Sequence, residues 1–445
     1  MKIKNIVTVL LVAFILASCA PAAKAVPTET AIPTSTFTPI PTATATITPT
    51  PTPENIANAK DLPVWLDDFV HAYGDKITVN GIEMNASQLT DEIRKNSEKF
   101  IQVKEINGSE VLFLLINGTP LAFREKGHWQ SITIKMLADS QGLRIGSENR
   151  ITPDFYEQLN QMTVGIYWSV IEPQQGVYNF DELDKSVADA KKHNMTIRGH
   201  ALVFPTSSSW TMPQWLKDNK FSKDDLRGIL VEHVTKVVQH GKEKGVTEWV
   251  VVNEPYLKDS SRTDDIFYKA FGGYEYIEIA FQAAREADPN ALLIYNDTDN
   301  HSSIGMTTSL TRQIVNMLKE KKLIDAVGIQ AHIGDWVPVY DPNDIEETLK
   351  SYGLPIVITE FDYNLIGVSG TEQERYEKQA KVYSDFMVAA LNANCMEFTF
   401  WGISDSNTWL LDIGITDGAP ALFDTSYRPK MAYYAVLAVL FHKMQ

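Results

Sequence analysis

The chain has 445 residues and a formal net charge of −16 at pH 7. This length has room for one domain of barrel size and a smaller one. The acidic balance excludes nucleic acid as an expected partner, because phosphate binding needs a basic surface, and a neutral substrate fits better.

The N-terminus has the pattern of an export signal. A basic start, MKIK, is followed by an apolar run at residues 6–16 and then by the small residues that lead to Cys19. The run is too short to span a bilayer, and small residues at its end are typical of a cleavage site. Because residues 1–19 end in LASC, they resemble a bacterial lipoprotein signal, in which Cys19 is lipidated and becomes the mature N-terminus. A plain secretory signal with an incidental cysteine is the alternative.

Residues 20–53 are rich in Thr and Pro and have almost no charge. This composition cannot bury a core, so we expect an extended, disordered linker. At about 3.1 Å per residue, its Thr/Pro-rich part at residues 27–53 can reach on the order of 80 Å. Signal, lipid and linker together predict an exported protein, anchored to the bacterial membrane through Cys19 and facing the cell surface or the extracellular side.

The second of the two cysteines is Cys395. If Cys19 is lipidated, Cys395 has no partner, so we expect no disulfide. Cys395 begins an apolar run, and this position favours a buried, inert thiol over a nucleophile.

Residues 54–127 are predicted to form a small α+β domain. Asn-Gly pairs between short apolar runs are a strong hairpin signal. They occur at residues 80–81, 107–108 and 117–118, and helical patterns occupy residues 62–73 and 86–98. Sugar binding through Trp65 or Trp129 is open, but an isolated tryptophan is more often core. The role of this domain stays unassigned.

From residue 128 to 445, apolar strand-like runs alternate with longer amphipathic helical patterns. The runs begin near Gly142, Met162, Met195, Thr247, Ala291, Asp325, Leu354 and Cys395. Eight strands, each followed by a helix, are typical of a (β/α)8 TIM barrel. A doubly wound sheet has the same alternation, but no glycine-rich phosphate loop follows the first strand. The predicted fold class is therefore α/β, a TIM barrel preceded by a small α+β domain.

Two of the apolar runs end in a glutamate. TEWVVVNEP places Glu254 at the carboxyl end of one core strand, and LPIVITE places Glu360 at the end of another. Because the carboxyl ends of barrel strands open on one face, both carboxylates are expected to point into one cleft. Two facing carboxylates are the apparatus of glycoside hydrolysis, and retention of configuration requires them about 5–5.5 Å apart.

Other predicted strand ends also carry polar residues. Helix capping would account for one polar strand end, but it is a poor explanation for six that converge on one face. They include His200, Asn253, Asn296-Asp297, Gln330 with His332, and Trp401. At the mouth of a barrel, an aromatic ring such as that of Trp401 or Trp409 offers a flat face for a sugar. The ligand spacings of zinc sites do not occur, so we predict no metal and no cofactor.

Five motifs in chain order resemble the glycoside hydrolase family 10 xylanases. They are RGHALV at 198–203, WVVVNEP at 249–255, VGIQAH at 327–332, ITEFD at 358–362 and FWGISD at 400–405. EPQQG at 172–176 and LFD at 422–424 support them. Each motif alone is weak, but their order and their spacing at barrel strands are specific. The likeness covers residues from about 132 to the C-terminus.

The resemblance implies an endo-1,4-β-xylanase-like enzyme that cleaves internal bonds of xylan with retention, without a cofactor or a metal. Glu254 would be the general acid/base and Glu360 the nucleophile. Asn253 would bind the sugar 2-hydroxyl, and His332 would contact Glu360. The subsites nearest the scissile bond would be lined by His200, Gln330, Trp401 and Trp409. The expected partner is a polysaccharide, xylan or a related β-glycan, and we expect a monomer.

The chain also departs from the family pattern. Where the family reads ENEMKW after strand two, this chain reads TVGIYW at 163–168. Phe204 replaces an expected tryptophan, and Thr298 an expected tyrosine. The residues that hold the sugar two units toward the non-reducing end are thereby changed. A retaining hydrolase of another β-linked or decorated plant polysaccharide is one alternative. A non-catalytic, carbohydrate-binding surface lipoprotein is another, although unused carboxylates are costly to keep desolvated in a cleft.

Overall fold

The computed structural model describes residues 65–106, 109–125, 128–148, 151–206, 208–255, 265–334 and 341–444. The predicted signal with Cys19, the predicted linker at 20–53 and the Asn-Gly pair at 107–108 lie outside these residues. Within these ranges, none of the helices combines the length and apolar character needed to cross a membrane.

The N-terminal region has the predicted α+β character. Its elements are α1 (Trp65–Ala72), β1 (Ile77–Val79), β2 (Ile82–Met84), α2 (Ala86–Lys95), a 3-10 turn (Ser97–Lys99), β3 (Ile101–Ile106), β4 (Ser109–Ile116), β5 (Thr119–Glu125) and β6 (His128–Ser131). β1 pairs with β2, and β3 to β6 form an antiparallel sheet in chain order. Asn80 and Asn117 have φ of 51° and 50°, and each precedes a glycine with positive φ. This is the backbone that an Asn-Gly hairpin turn requires.

Eight parallel strands close into a barrel, which confirms the predicted (β/α)8 fold. They are β7 (Arg144–Glu148), β8 (Gln161–Gly165), β9 (Thr196–Val203), β10 (Glu248–Asn253), β11 (Leu292–Thr298), β12 (Ala326–Ile333), β13 (Ile356–Tyr363) and β14 (Cys395–Phe400). Each strand pairs with the next along the chain, and β14 pairs with β7. Closure brings the carboxyl ends of all these strands to one face.

The helices of the barrel region follow the predicted alternation. They are α3 (Ile134–Asp139), α4 (Trp168–Ile171), α5 (Asp181–Lys192), α6 (Gln214–Asp218), α7 (Lys223–Lys244), α8 (Ile266–Phe271), α9 (Glu275–Ala287), α10 (Thr308–Glu320), α11 (Pro342–Ser351), α12 (Glu372–Asn392), α13 (Trp409–Asp412) and α14 (Met431–Lys443), with a 3-10 turn at Pro153–Gln158. Capping boxes at Ser222 and Thr371 begin the two long helices, α7 and α12. α7 ends at Lys244 and is capped by Gly245, whose φ of 92° suits the left-handed cap.

The small α+β region and the barrel belong to one compact unit. Aromatic rings join them: Phe113 of β4 meets Phe441 of α14 with centroids 4.9 Å apart, and Phe69 of α1 meets Tyr434 at 4.9 Å. Trp129 packs against the shared apolar core. β6 belongs to the small sheet and extends to residue 131. This strand therefore crosses the domain boundary that the sequence analysis places at residue 127, and the division into domains stays a prediction.

An ionic cluster, buried except for part of Arg144, occupies the barrel interior toward the amino ends of the strands. We define it as Arg144, Arg198, Glu248 and Glu397. The Arg198 guanidinium binds the Glu397 carboxylate, and Arg144 Nε lies 2.8 Å from Glu397 Oε2 and 3.0 Å from Glu248 Oε1. Burial raises the pKa of Glu248, and the charge of Glu397 raises it further. Burial opposes ionisation of Glu397 too, but the two arginines outweigh it and hold its pKa below the usual value.

Cys395, the first residue of β14, is a free thiol. Burial raises its pKa to about 12. A thiol that keeps its proton at neutral pH is a poor nucleophile, and this agrees with the inert role expected from the sequence.

Candidate active site

Glu360 lies in β13 and is 4% exposed. Its Oε1 accepts a hydrogen bond from Asn296 Nδ2 (3.1 Å), and its Oε2 lies 3.2 Å from His332 Nε2. His200 Nε2 is 3.6 Å from Oε1. Burial alone raises the pKa of this carboxyl, but the hydrogen bond with His332 and the surrounding positive charge outweigh burial and lower it. Glu360 is therefore ionised at neutral pH.

His332 is held between two carboxylates. Its Nδ1 is 2.7 Å from Asp362 Oδ2, and its Nε2 faces Glu360. Burial lowers the pKa of the imidazole, but the charge of Asp362 and the hydrogen bonds to both carboxylates raise it well above its ordinary value. Trp409 Nε1 donates to the same Asp362 oxygen at 2.7 Å. A protonated His332 thus fixes Glu360 in orientation and supplies a positive charge beside it.

Amide side chains from three neighbouring strands form a second network. Gln330 Nε2 and Asn296 Nδ2 both donate to Asn253 Oδ1, at 3.0 and 2.7 Å. Thr359 Oγ1 donates to Asn296 Oδ1 at 2.5 Å. Gly328 leaves room for this amide, since a Cβ there would come within 2.5 Å of Asn296 Oδ1. With Oδ1 of Asn253 fixed by two donors, its Nδ2 is oriented to donate to a ligand.

Glu254 follows β10 directly and has a φ of 44°, uncommon for a residue with a side chain. Its backbone N–H donates to the Asn296 carbonyl at 3.1 Å. Because the Asn296 side chain binds Glu360, one residue ties together the strand ends that carry both glutamates. Glu254 is only half-buried, unlike Glu360. Glu254 thus follows the last residue of β10, as predicted, whereas Glu360 is not the last residue of its strand, because β13 continues to Tyr363. Both lie in the carboxyl-terminal halves or beyond the ends of their strands, and the separation of about 5–5.5 Å between their carboxyl groups stays a prediction.

Aromatic rings and a neutral imidazole surround Glu360. Burial lowers the pKa of His200 to about 4, so this ring is uncharged at neutral pH. The Trp401 ring lies 5.4 Å from His200 and 6.5 Å from His332, and the Trp409 ring lies 5.1 Å from His332. Contacts in the structure thus link the predicted substrate-binding residues to one another around Glu360, while the roles assigned to them and to Glu254 stay predictions.

The family model for glycosyl hydrolase family 10 matches residues 130–439. The chain belongs to this family. Endo-1,4-beta-xylanase B of Thermotoga neapolitana is 31% identical over 358 residues, which are 76% of this chain and 99% of the relative. Endo-1,4-beta-xylanase A of Humicola insolens is 32% identical over 287 residues, 63% of this chain and 73% of the relative. Membership in family 10 confirms the resemblance that the five motifs predicted, and the chain is a glycoside hydrolase.

Solved family 10 structures agree with the fold. Xylanase 10B from Thermotoga petrophila RKU-1 in complex with xylobiose has a TM-score of 0.65 at 31% identity, covering 72% of this chain and 100% of that one. Native xylanase 10B from Thermotoga maritima has a TM-score of 0.64, again at 31% identity, with 70% and 99% covered.

Two residues of the family 10 site are not selected by the sequence analysis. Asn296 was recognised only as a polar strand end, and Asp362 only as a letter of the ITEFD motif. A signal existed for Asp362, because it lies two residues after Glu360 in the same strand, where alternate side chains share a face. Asn296 contacts both Asn253 and Glu360 across strands, and such contacts appear only after the barrel closes.

The altered stretch at 163–168 begins inside the second barrel strand, β8, rather than after it, and most of its side chains point inward. Thr163 is buried, and its hydroxyl receives hydrogen bonds from Arg198 (2.7 Å) and Gln161 (3.1 Å). Val164 and Ile166 are buried apolar side chains. These positions therefore cannot offer the charged and amide contacts that the family pattern has there.

Proposed function

We propose that this family 10 enzyme is an endo-acting, retaining hydrolase of β-1,4-xylan. The observation that carries the proposal is the ionised Glu360, held by His332 and Asn296 on the barrel face where Glu254 also lies. The names of the relatives, which are endo-1,4-beta-xylanases, support xylan as the substrate.

In the first step, the Glu360 carboxylate attacks the anomeric carbon, and Glu254 gives its proton to the glycosidic oxygen. The leaving chain departs as an alcohol, and a covalent glycosyl-enzyme with inverted configuration forms. In the second step, Glu254 takes a proton from water, and the water oxygen attacks the anomeric carbon. The bond to Glu360 breaks and its carboxylate is released, so that two inversions give net retention.

The groups around Glu360 stabilise its carboxylate and orient the sugar during the reaction. A protonated His332, itself held by Asp362, stabilises the free carboxylate before attack and again when the carboxylate leaves. Asn253 Nδ2 donates to the sugar 2-hydroxyl next to the reacting carbon, in the orientation that Gln330 and Asn296 set. The rings of Trp401 and Trp409 offer faces for the sugar.

The test combines rate and stereochemistry. The mature protein is incubated with xylan, new reducing ends and viscosity are followed, and the first product anomer is identified by proton NMR. We expect a rapid fall in viscosity and the β-anomer first. If neither xylan nor aryl β-xylosides are hydrolysed, the proposal is overturned. An α-anomer formed first would exclude double displacement.

A second candidate substrate is another β-linked or decorated plant polysaccharide. The observation that favours it is the replacement of polar grip residues by Thr163, Val164 and Tyr167. A panel of β-linked polysaccharides separates the two: faster release of reducing ends from a different backbone than from xylan would support this candidate.

We also propose that the enzyme acts as a monomer on the outside of the cell, anchored through a lipid on Cys19. The N-terminal pattern and the Thr/Pro-rich linker support this location. Replacement Cys19→Ser should release the protein from the membrane fraction and abolish incorporation of labelled fatty acid. Unchanged fractionation and labelling would exclude the anchor. Light scattering on the mature chain tests the monomer.

A further inference from the structure

Trp210 lies in the connection between β9 and α6 and is 54% exposed. Its ring is packed edge-to-face between two other aromatic rings. Tyr167 is 4.8 Å away at 88°, and Phe204 is 5.6 Å away at 85°. Such T-shaped contacts hold an aromatic ring by its edge or by one face. The large exposed fraction of Trp210 shows that much of the indole stays open to solvent.

The backbone that carries this ring is tied to the barrel. Ser169 Oγ donates to the Trp210 carbonyl at 2.5 Å, and the Ser169 N–H donates to the Thr211 carbonyl at 3.2 Å. Thr211 is fully buried, and its hydroxyl lies 2.7 Å from that of Thr206. The indole is therefore presented from a fixed position and requires little ordering when a ligand binds, which favours affinity.

Contacts connect this aromatic group to the nucleophile. Tyr167 meets His200 edge-to-face at 6.5 Å, and His200 Nε2 is 3.6 Å from Glu360 Oε1. The order from the catalytic carboxylate outward is thus His200, Tyr167, Trp210. Trp210 therefore lies on the His200 side of Glu360, joined to it through two intervening side chains.

The chemistry of this place differs from hydrogen-bonded recognition. The nearby strand end offers a threonine hydroxyl already bonded to Arg198, and the buried side chains of Val164 and Ile166. What remains open toward solvent here is part of the Trp210 indole, which is 54% exposed. An aromatic face contacts the C–H side of a sugar ring and leaves the ring hydroxyls outside the contact.

We propose that Trp210, supported by Tyr167 and Phe204, is a sugar-stacking subsite that binds a xylose unit by its ring face and accepts units whose hydroxyls carry side groups. The proposal rests on the proposed function and deepens it by naming the substrate class, a β-1,4-xylan with substituted units. A subsite built on hydroxyl hydrogen bonds would reject such units, because a substituent removes the donor and fills the space.

The test compares wild type with Trp210→Ala and Trp210→Phe on xylotetraose, on the same tetraose carrying an arabinosyl group, and on an aryl β-xyloside. We expect wild-type kcat/KM for the substituted tetraose to be within about threefold of the linear one. Trp210→Ala should lower kcat/KM for both tetraoses relative to the aryl xyloside by about 3- to 10-fold, through KM. Trp210→Phe should retain most of the wild-type ratio.

Tyr427→Ala is the matched control, since Tyr427 is an exposed aromatic residue that packs on Phe155 at 5.4 Å. It should leave every ratio unchanged. An unchanged ratio in Trp210→Ala, or wild-type discrimination against the substituted tetraose of more than about 30-fold, would overturn the subsite.

Binding of the linear tetraose to each variant, measured by calorimetry, separates the two proposals. If wild type hydrolyses nothing but Trp210→Ala weakens binding by about 3- to 10-fold, the stacking subsite stands and the xylanase proposal falls. If hydrolysis proceeds and neither binding nor the ratio responds to Trp210→Ala, the reverse holds.

Discussion

Two groups of buried carboxylates occupy different levels of the same barrel, and their partners differ. In the ionic cluster, Glu397 is bound by Arg144 and Arg198, which keep their charge at any pH that a protein meets. Near the carboxyl ends of the strands, Glu360 is bound by an imidazole and an amide. Both environments lower the pKa of a buried carboxyl against the effect of burial.

The structural carboxylate and the reactive one therefore differ in the kind of group that binds them. Two guanidinium groups grip Glu397 at all times, so its oxygens are committed to the fold. The partners of Glu360 are weaker donors at 3.1 and 3.2 Å. These partners stabilise the negative charge of Glu360 and can readjust when this charge is lost as the covalent bond to the sugar forms.

The sharpest test of this comparison applies the same substitution, glutamate to glutamine, to Glu360 and to Glu397. Glu360→Gln is the first of these two variants. We expect kcat on xylan to fall by roughly 10⁴-fold or more, because the nucleophile is lost. The melting temperature should change by only a few degrees, about what 1–2 kcal/mol produces. Reducing-end assays and calorimetry measure the two effects. Substantial remaining turnover would remove Glu360 from the role of nucleophile.

Glu254→Ala tests the other glutamate of the catalytic face. Loss of the proton donor should lower kcat/KM on xylan by about 10²- to 10⁴-fold. An aryl β-xyloside with a strongly acidic leaving group needs little proton donation, so its first step should be largely spared. Equal losses on both substrates would contradict the acid/base assignment.

Glu397→Gln is the second half of the comparison. It removes the charged partner of the fully buried Arg198 and one of the two partners of the half-buried Arg144, which should cost about 3–5 kcal/mol in the free energy of unfolding. Urea denaturation measures this loss. Glu347→Gln on the exposed face of α11 is the matched control and should change stability by less than about 0.5 kcal/mol.

The difference in stability between wild type and Glu397→Gln should change with pH in a defined direction. Because the pKa of Glu397 is lowered in the folded state, its contribution is present above the ordinary value of 4.5 and is lost as the pH falls. The stability gap between wild type and Glu397→Gln should therefore narrow in acid. A gap that widens in acid would contradict the charge assigned to Glu397.

The smallest expected effect is a shift of the activity profile in His332→Gln. The hydrogen bond and charge of His332 lower the pKa of Glu360, so their removal should raise it. Since Glu360 acts as the carboxylate, the acidic limb of kcat/KM should move to higher pH. A profile of the variant against that of His71→Gln, an exposed histidine on α1, measures the shift. A limb that stays in place would show that His332 does not tune Glu360.

Much of the barrel could be predicted because its signals are local. The runs before Glu254 and Glu360 are apolar and end in a polar group, and the structure places strands at 248–253 and 356–363. The turns at Asn80 and Asn117 follow from the tolerance of Asn-Gly for positive φ. The family motifs also point to His200 and His332, and the structure places both beside Glu360.

Other features have no local signal. Arg144, Arg198, Glu248 and Glu397 lie in four different strands, and no spacing along the chain indicates that they meet. Asn296 looks like any polar residue at the end of a strand until its partners Asn253 and Glu360 are known. Trp210 reads as one aromatic residue in a polar stretch, and only the structure shows that its ring is supported by Tyr167 and Phe204 while remaining 54% exposed.

The sequence by itself determined the order of strands and helices and the two glutamates at strand ends, because periodicity, turn residues and motifs are written in neighbouring positions. Only the tertiary structure decided which carboxyl is gripped by arginine and which by histidine. The physical reason is that burial and charge partners come from residues far apart in the chain, and closure of the barrel brings them within hydrogen-bond distance.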